Sequence, residues 1–201
     1  MTNKVPLPQV RKPVPPWVKV CGITRACDAE ACVALGVDFC GFVFHPASPR
    51  NMAAADVARI RTEGVRRVGV FTTHDTAEIL RTMDVARLDY AQLHAGQDEA
   101  CAEAVGAGRV IRVCFALPEA PCRAAFLLFD KPFDWHALKG RPACQPYFVA
   151  GGLDARNVRE ALSCGSPAGV DLNSGVEVAP GLKDASRIRE VLEEIRKGDG
   201  K

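Results

Sequence analysis

Eight times along this chain a short run of β-branched and apolar residues meets a turn, and most of those runs lead into an alanine-rich or amphipathic stretch. WVKVCGI precedes RACDAEACVALG, DFCGFVFH precedes AAADVARIRTEG, RRVGVFT precedes DTAEILRTMDVAR, and DYAQLHA precedes DEACAEAVGAG. RVIRVCF, AFLLFD, PYFVAGG and AGVDLNS follow, the last two ahead of ARNVREALSCG and ASRIREVLEEIRK. The strand runs are apolar on both faces, as strands of a parallel sheet covered by helices must be. Eight such units predict an α/β fold of the (β/α)8 TIM barrel type in one small domain, residues 17–201, near the lower size limit for that architecture. An open doubly wound sheet is the rival, but CGIT follows the first strand where that fold carries a glycine-rich turn.

Local signals add detail. Thr24 or Asp28 is expected to cap the first helix, and Asp134 the short helix after the sixth strand. Gly36, Gly64, Gly108 and Gly165 stand near helix ends, where a left-handed residue is wanted. ALPEAPCRAA, between strands five and six, is too short for a full helix. KPFDWHALKGRPACQP, before strand seven, allows one short helix. Residues 1–16, MTNKVPLPQVRKPVPP, read as a loose proline-rich arm with neither a signal-peptide core nor a membrane span.

Composition narrows the function. Charge is nearly balanced at +2, with no basic run interleaved with aromatics, which speaks against nucleic acid. Nine cysteines, an odd number without C-x-x-C spacing, fit a reducing cytoplasm better than a disulfide framework. No zinc-finger spacing, G-x-G-x-x-G or G-x-x-x-x-G-K-[ST] occurs, so zinc-finger, NAD and ATP sites of those kinds are not expected.

A barrel builds its active site at the C-terminal ends of its strands. There the sequence puts Cys21, His45 with Arg50 beyond it, Thr72, Gln92 with His94, Asp130, Gly151-Gly152, and Asp171 through Gly175. The glycine-bearing turns after strands seven and eight can offer bare amides to a phosphate. A Gly-Gly pair alone is more often just a tight turn, and a strand-end cysteine in a cysteine-rich chain is more often an inert filler. His45, His74 and His136 carry no distinguishing signal.

VKVCGITRACDAEACVALGVDFCGFVFHPASPR resembles the N-terminal part of the phosphoribosylanthranilate isomerases of tryptophan biosynthesis. AQLH, FDW, VAGGL and GVDLNSGVEVAPGLKD resemble later parts of that family in the same order. The resemblance runs from about Val18 to the C-terminus. It implies a (β/α)8 barrel that needs no cofactor or metal and performs an Amadori rearrangement on a small phosphosugar-anthranilate. It also implies roles: Cys21 as general base and Asp130 as general acid, with Arg50 on the anthranilate carboxylate. Gly151, Gly152, Ser174 and Gly175 would hold phosphate. Asp171 would meet sugar hydroxyls or the amine, and Gln92 and His94 would line the pocket. A thiol base requires a lowered pKa, from a helix N-terminus or a nearby cation. A carboxylic acid donor has to hold its proton at neutral pH, which burial favours. A cytoplasmic monomer that binds no nucleic acid or membrane is expected.

The resemblance departs at one loop. The family has a glycine-rich stretch between the strand-six aspartate and F-D-W, whereas this chain reads Phe129-Asp130-Lys131-Pro132-Phe133-Asp134-Trp135. A loop of that kind closes over substrate and excludes water. Its absence predicts a more open Asp130 and weaker catalysis, or, as the alternative reading, a phosphosugar-binding barrel without turnover. Smaller departures are Ala95-Gly96-Gln97 after the fourth strand and Asn173, where the family often has serine. The histidine-pathway aldose-ketose isomerases share the fold but use an aspartate at the end of strand one, the place of Cys21.

Overall fold

The eight apolar runs pair side by side, all parallel, and the last closes onto the first. The structure, a computed structural model, describes residues 16–140 and 145–198. Residues 1–15 of the arm expected over 1–16, and 141–144 at the end of the strand-six connection, lie outside the described residues, and Pro16 is buried. In chain order the elements are β1 (Trp17–Val20), α1 (Ala26–Leu35), β2 (Phe39–Phe44), α2 (Ala54–Val57), β3 (Arg66–Phe71), α3 (Thr76–Val85), β4 (Tyr90–Leu93) and α4 (Glu99–Val105). There follow β5 (Val110–Cys114), β6 (Phe126–Phe129), β7 (Tyr147–Val149), α5 (Val158–Ser163) and β8 (Gly169–Leu172). A two-stranded excursion, β9 (Glu177–Ala179) and β10 (Leu182–Lys183), precedes α6 (Ala185–Gly198).

Strand alternation sorts side chains between two cores. One set, including Val18, Val20, Cys40, Phe42, Phe71, Val149 and Leu172, packs outward against the helices. The other fills the barrel. At its lower end Phe39, Phe126 and Phe148 interlock with Trp17 and Tyr90, for example Phe126 on Phe148 at 5.3 Å and 70°. Such edge-to-face pairs contribute about 0.5–1.5 kcal/mol each beyond the area they bury. The Arg66 guanidinium closes the plug, 5.0 Å from the Phe39 ring. Above the aromatics lie Lys19 and Asp171, and at the upper rim Cys21 packs with Val43 and Val70.

Local expectations hold where the chain is left to itself. Asp134 caps its short 3-10 turn by accepting from the His136 amide, no helix forms between β5 and β6, and Gly36 closes α1 at φ 76°. They fail where distant groups intervene. Neither Thr24 nor Asp28 caps α1: Thr24 Oγ1 donates to the Gly181 carbonyl, and Asp28 is buried, accepting from Arg25 and the Lys183 amide. Both side chains are taken by the β9–β10 excursion. Gly106, at φ 91°, closes α4, while Gly108 sits inside the 3-10 turn that follows. α2 is a single turn, and the Arg67 guanidinium donates to the Val57 and Ile60 carbonyls at and beyond its end.

Candidate active site

Each residue of Cys21-Gly22-Ile23-Thr24 has a structural reason to be there. Cys21 is 5% exposed, on the inward face beyond β1. Gly22 lies at φ 73°, and a Cβ there would stand 2.6 Å from Arg50 Cδ and 2.9 Å from Asn173 Oδ1. Ile23 is fully buried with its amide on the Gly41 carbonyl, and Thr24 ties the segment to Gly181. The thiol also shapes its neighbour: a Cβ at Gly41 would stand 2.8 Å from Cys21 Sγ.

Three cations surround that thiol. Lys19, two residues earlier on the same strand face and fully buried, donates to Asp171 Oδ2 at 2.8 Å across the β1–β8 seam. Burial works against its ammonium, but Asp171 and Cys21 together outweigh that, so its pKa is raised. Lys183 donates to Glu177 Oε1 at 2.6 Å and to Asn173 Oδ1 at 2.8 Å. Arg50, set by a turn in which Ser48 Oγ accepts its amide, forks onto Glu177, Nε to Oε1 at 2.9 Å and Nη2 to Oε2 at 2.6 Å. Two of the Arg50 nitrogens are thus engaged by protein, and Nη1 has no partner among the described residues. The expected lowering of the Cys21 pKa is not found in the unliganded protein. Burial pushes the thiol up, and Lys19 and Lys183 offset this only in part against the opposing Asp171.

Across the mouth, Asp130 follows β6, half-buried rather than sealed, with Oδ1 accepting the Lys131 amide at 2.8 Å. His94 lies within its field, with a pKa lowered by burial against the opposing pull of Asp130. His94 packs edge-on against Phe115, an exposed ring that strand-end reasoning passed over. His45 Nδ1 and Thr72 Oγ1 pair at 2.8 Å, bracing each other. Gln92 Oε1 and Asp171 Oδ1 are buried acceptors without a partner among the described residues. A buried acceptor left unmatched costs about 1–3 kcal/mol, which a donor on a bound ligand would recover.

The two glycine turns are one surface. Gly151 and Gly152 lie at φ 105° and 73°, and their amides have no acceptor among the described residues. Ser174 and Gly175 begin a 3-10 turn packed so closely that a Cβ at Gly175 would collide with the Leu153 carbonyl. The strand-end list therefore converges on one mouth, but it omits Lys19, Lys183, Glu177 and Lys131. For Lys19 a signal existed: a lone cation inside an apolar strand, at period-two spacing from Cys21, with a lone acid inside AGVDL to answer it.

The family model described as N-(5′-phosphoribosyl)anthranilate (PRA) isomerase matches residues 18–194. The chain is 43% identical to an N-(5′-phosphoribosyl)anthranilate isomerase of Desulfovibrio desulfuricans over 91% of this chain and 97% of that one. Among solved structures, the phosphoribosyl anthranilate isomerase of Thermus thermophilus is 36% identical with a TM-score of 0.74, covering 90% of this chain and 98% of that one. A phosphoribosyl anthranilate isomerase in complex with reduced 1-(o-carboxyphenylamino)-1-deoxyribulose 5-phosphate is 32% identical with a TM-score of 0.80, at the same coverage.

Proposed function

The chain belongs to the N-(5′-phosphoribosyl)anthranilate isomerase family, and from that membership we propose how its own residues divide the work. The reaction is the Amadori rearrangement of N-(5′-phosphoribosyl)anthranilate to 1-(2-carboxyphenylamino)-1-deoxyribulose 5-phosphate. It consumes no oxidant or reductant: one proton enters at the ring oxygen and one leaves C2′. Asp130 gives its proton to the ring oxygen as the C1′–O bond breaks and nitrogen forms an iminium. Cys21, once it has lost its own proton to solvent, takes the C2′ proton as a thiolate, and the resulting enol tautomerises to the ketone.

The observation that carries this assignment is the buried Lys19–Asp171 pair one layer below Cys21. A thiolate forming at Cys21 meets the Lys19 ammonium where Lys19 is fully buried and Cys21 only 5% exposed, so that charge is weakly screened. Arg50 Nη1 is available to the anthranilate carboxylate while Glu177 fixes the plane of the guanidinium. The orphaned oxygens of Asp171 and Gln92 accept from sugar hydroxyls. The free amides of Gly151-Gly152 and the turn at Ser174-Gly175 take the phosphate.

The enzyme is further proposed to act as a cytoplasmic monomer. The eight cysteines among the described residues are all free thiols, as a reducing compartment keeps them. No helix among the described residues is long and apolar enough to cross a membrane. Large exposed apolar side chains are few, on α3, after β5 and on the β9–β10 excursion. Sedimentation equilibrium tests the monomer.

Fluorescence of the anthranilate ring, followed on substrate generated in situ, tests the roles. Turnover by the unmodified protein that both Cys21→Ala and Asp130→Asn abolish supports them. Binding of the reduced product analogue without turnover would instead favour a phosphosugar-binding barrel whose short β6 loop no longer supports catalysis.

A further inference from the structure

The turn after β6 carries a cation that no role above uses. Asp130-Lys131-Pro132-Phe133 forms a tight turn, closed by the Phe133 amide on the Asp130 carbonyl at 3.0 Å. Phe133 packs on Phe129 with ring centroids 4.6 Å apart, and Trp135 Nε1 donates at 2.9 Å to the carbonyl of Ala150, the residue before Gly151. The β6 turn is therefore fastened to the β7 turn. Its consequence is the path of the Lys131 side chain. A Cβ at Gly151 would stand 2.7 Å from Lys131 Cγ, and a Cβ at Gly152 would stand 3.4 Å from Lys131 Nζ. The stem lies along the glycine turn and the ammonium hangs over its second residue. No acceptor among the described residues engages that ammonium.

Resting on the reading of Gly151-Gly152 as the phosphate turn, we propose that Lys131 is a phosphate-binding residue of this enzyme, supplying from the β6 turn a charge that answers the substrate's phosphate. Bare amides satisfy phosphate oxygens but bring no full charge, and an ammonium brought over the same amides adds a charge-assisted bond. The same contact gives Gly151 a second reason to be glycine, since any side chain there would displace the lysine stem.

The charge is removed and the stem kept in Lys131→Met; Lys131→Arg keeps the charge. Steady-state kinetics and competitive inhibition by inorganic phosphate are measured for both beside the unmodified protein, with thermal unfolding as a control for folding. A charge-assisted bond predicts that Lys131→Met raises both KM and the phosphate inhibition constant about 10- to 100-fold, moves kcat far less, and is largely rescued in Lys131→Arg. Unchanged KM and unchanged phosphate inhibition in Lys131→Met, with normal turnover, would overturn the role of Lys131 and leave the isomerase assignment standing. An unmodified protein that turns substrate over yet is indifferent to phosphate would remove the phosphate turn itself and this inference with it.

Discussion

Lys19 and Asp171 meet at 2.8 Å across the seam where β8 closes onto β1, and Cys21 is the next inward-facing residue above Lys19. The pair joins the ends of the barrel and charges the floor of the active site. Lys19→Met would leave a buried carboxylate uncompensated and cost about 3–5 kcal/mol. The double variant Lys19→Met/Asp171→Leu removes both charges at similar volume and is expected to recover most of that loss. Its kcat should stay far below that of the unmodified enzyme, because the proposed Cys21 thiolate has lost its cation and the sugar its proposed partner at Asp171. Urea unfolding and turnover, measured on the same preparations, separate the two effects. A double variant that regains activity together with stability would show the pair to be structural only.

Gly41→Ala places a methyl group 2.8 Å from Cys21 Sγ and 3.0 Å from Cys21 Cα. The second contact is to backbone, so a rotamer change cannot relieve it. The overpacking is expected to cost about 1–3 kcal/mol, and kcat should fall beyond anything that destabilisation explains, since the proposed base is displaced. Kinetics well below the unfolding temperature check this.

Glu177→Gln would weaken the hold on Arg50 and leave the Lys183 ammonium with a poorer partner. With the guanidinium no longer held in plane, KM should rise more than kcat falls. Saturation curves with phosphoribosylanthranilate decide it: an unchanged KM would detach Arg50 from substrate binding.

Glu177 also sets an acid limit. Although burial opposes it, Arg50 and Lys183 hold its carboxyl at about 2 against an ordinary 4.5. Because the folded-state value is depressed, the stabilisation is fully present above pH 4.5 and is lost as pH falls toward 2. After allowance for solvent screening it amounts to about 2–3 kcal/mol. The difference in unfolding free energy between the unmodified protein and Glu177→Gln should therefore shrink as pH is lowered through this window. A difference that stays constant from pH 6 to pH 3 would contradict the pairing.

Burial holds the Cys21 thiol above its ordinary pKa in the unliganded enzyme, whereas Cys27 is exposed. Iodoacetamide should modify Cys27 well before Cys21, with Cys21 labelling accelerating only as pH is raised. Peptide mapping by mass spectrometry gives the order, and early labelling of Cys21 near neutrality would mean that its thiolate already exists without substrate.

Much of this molecule was legible along the chain. Short β-branched and apolar runs and the turns between them give eight strands, and eight strands with intervening helices close in one way. The strand ends then give the mouth, so Cys21, Arg50, Asp130 and the glycine turns could be named from position and resemblance alone. Asp134 as a cap was legible because capping is decided within three residues. Asp28 was not, because its partners are Arg25 and a backbone amide 155 residues away.

What only the tertiary structure decided is how charges are shared. Sequence places Lys19 and Asp171 inside strands, but the closure of β8 onto β1 makes them a pair, and their depth makes it matter to Cys21. It names Arg50, but the β9–β10 excursion brings Glu177 to occupy half of its fork. It shows that only four residues separate Asp130 from Trp135, but the fold, with Trp135 bonded to the Ala150 carbonyl, lays Lys131 over Gly151 and Gly152. Periodicity is a local property, carried by each segment on its own. Pairing of buried charges depends on distance in a low-dielectric interior, and that distance exists only once the barrel has closed.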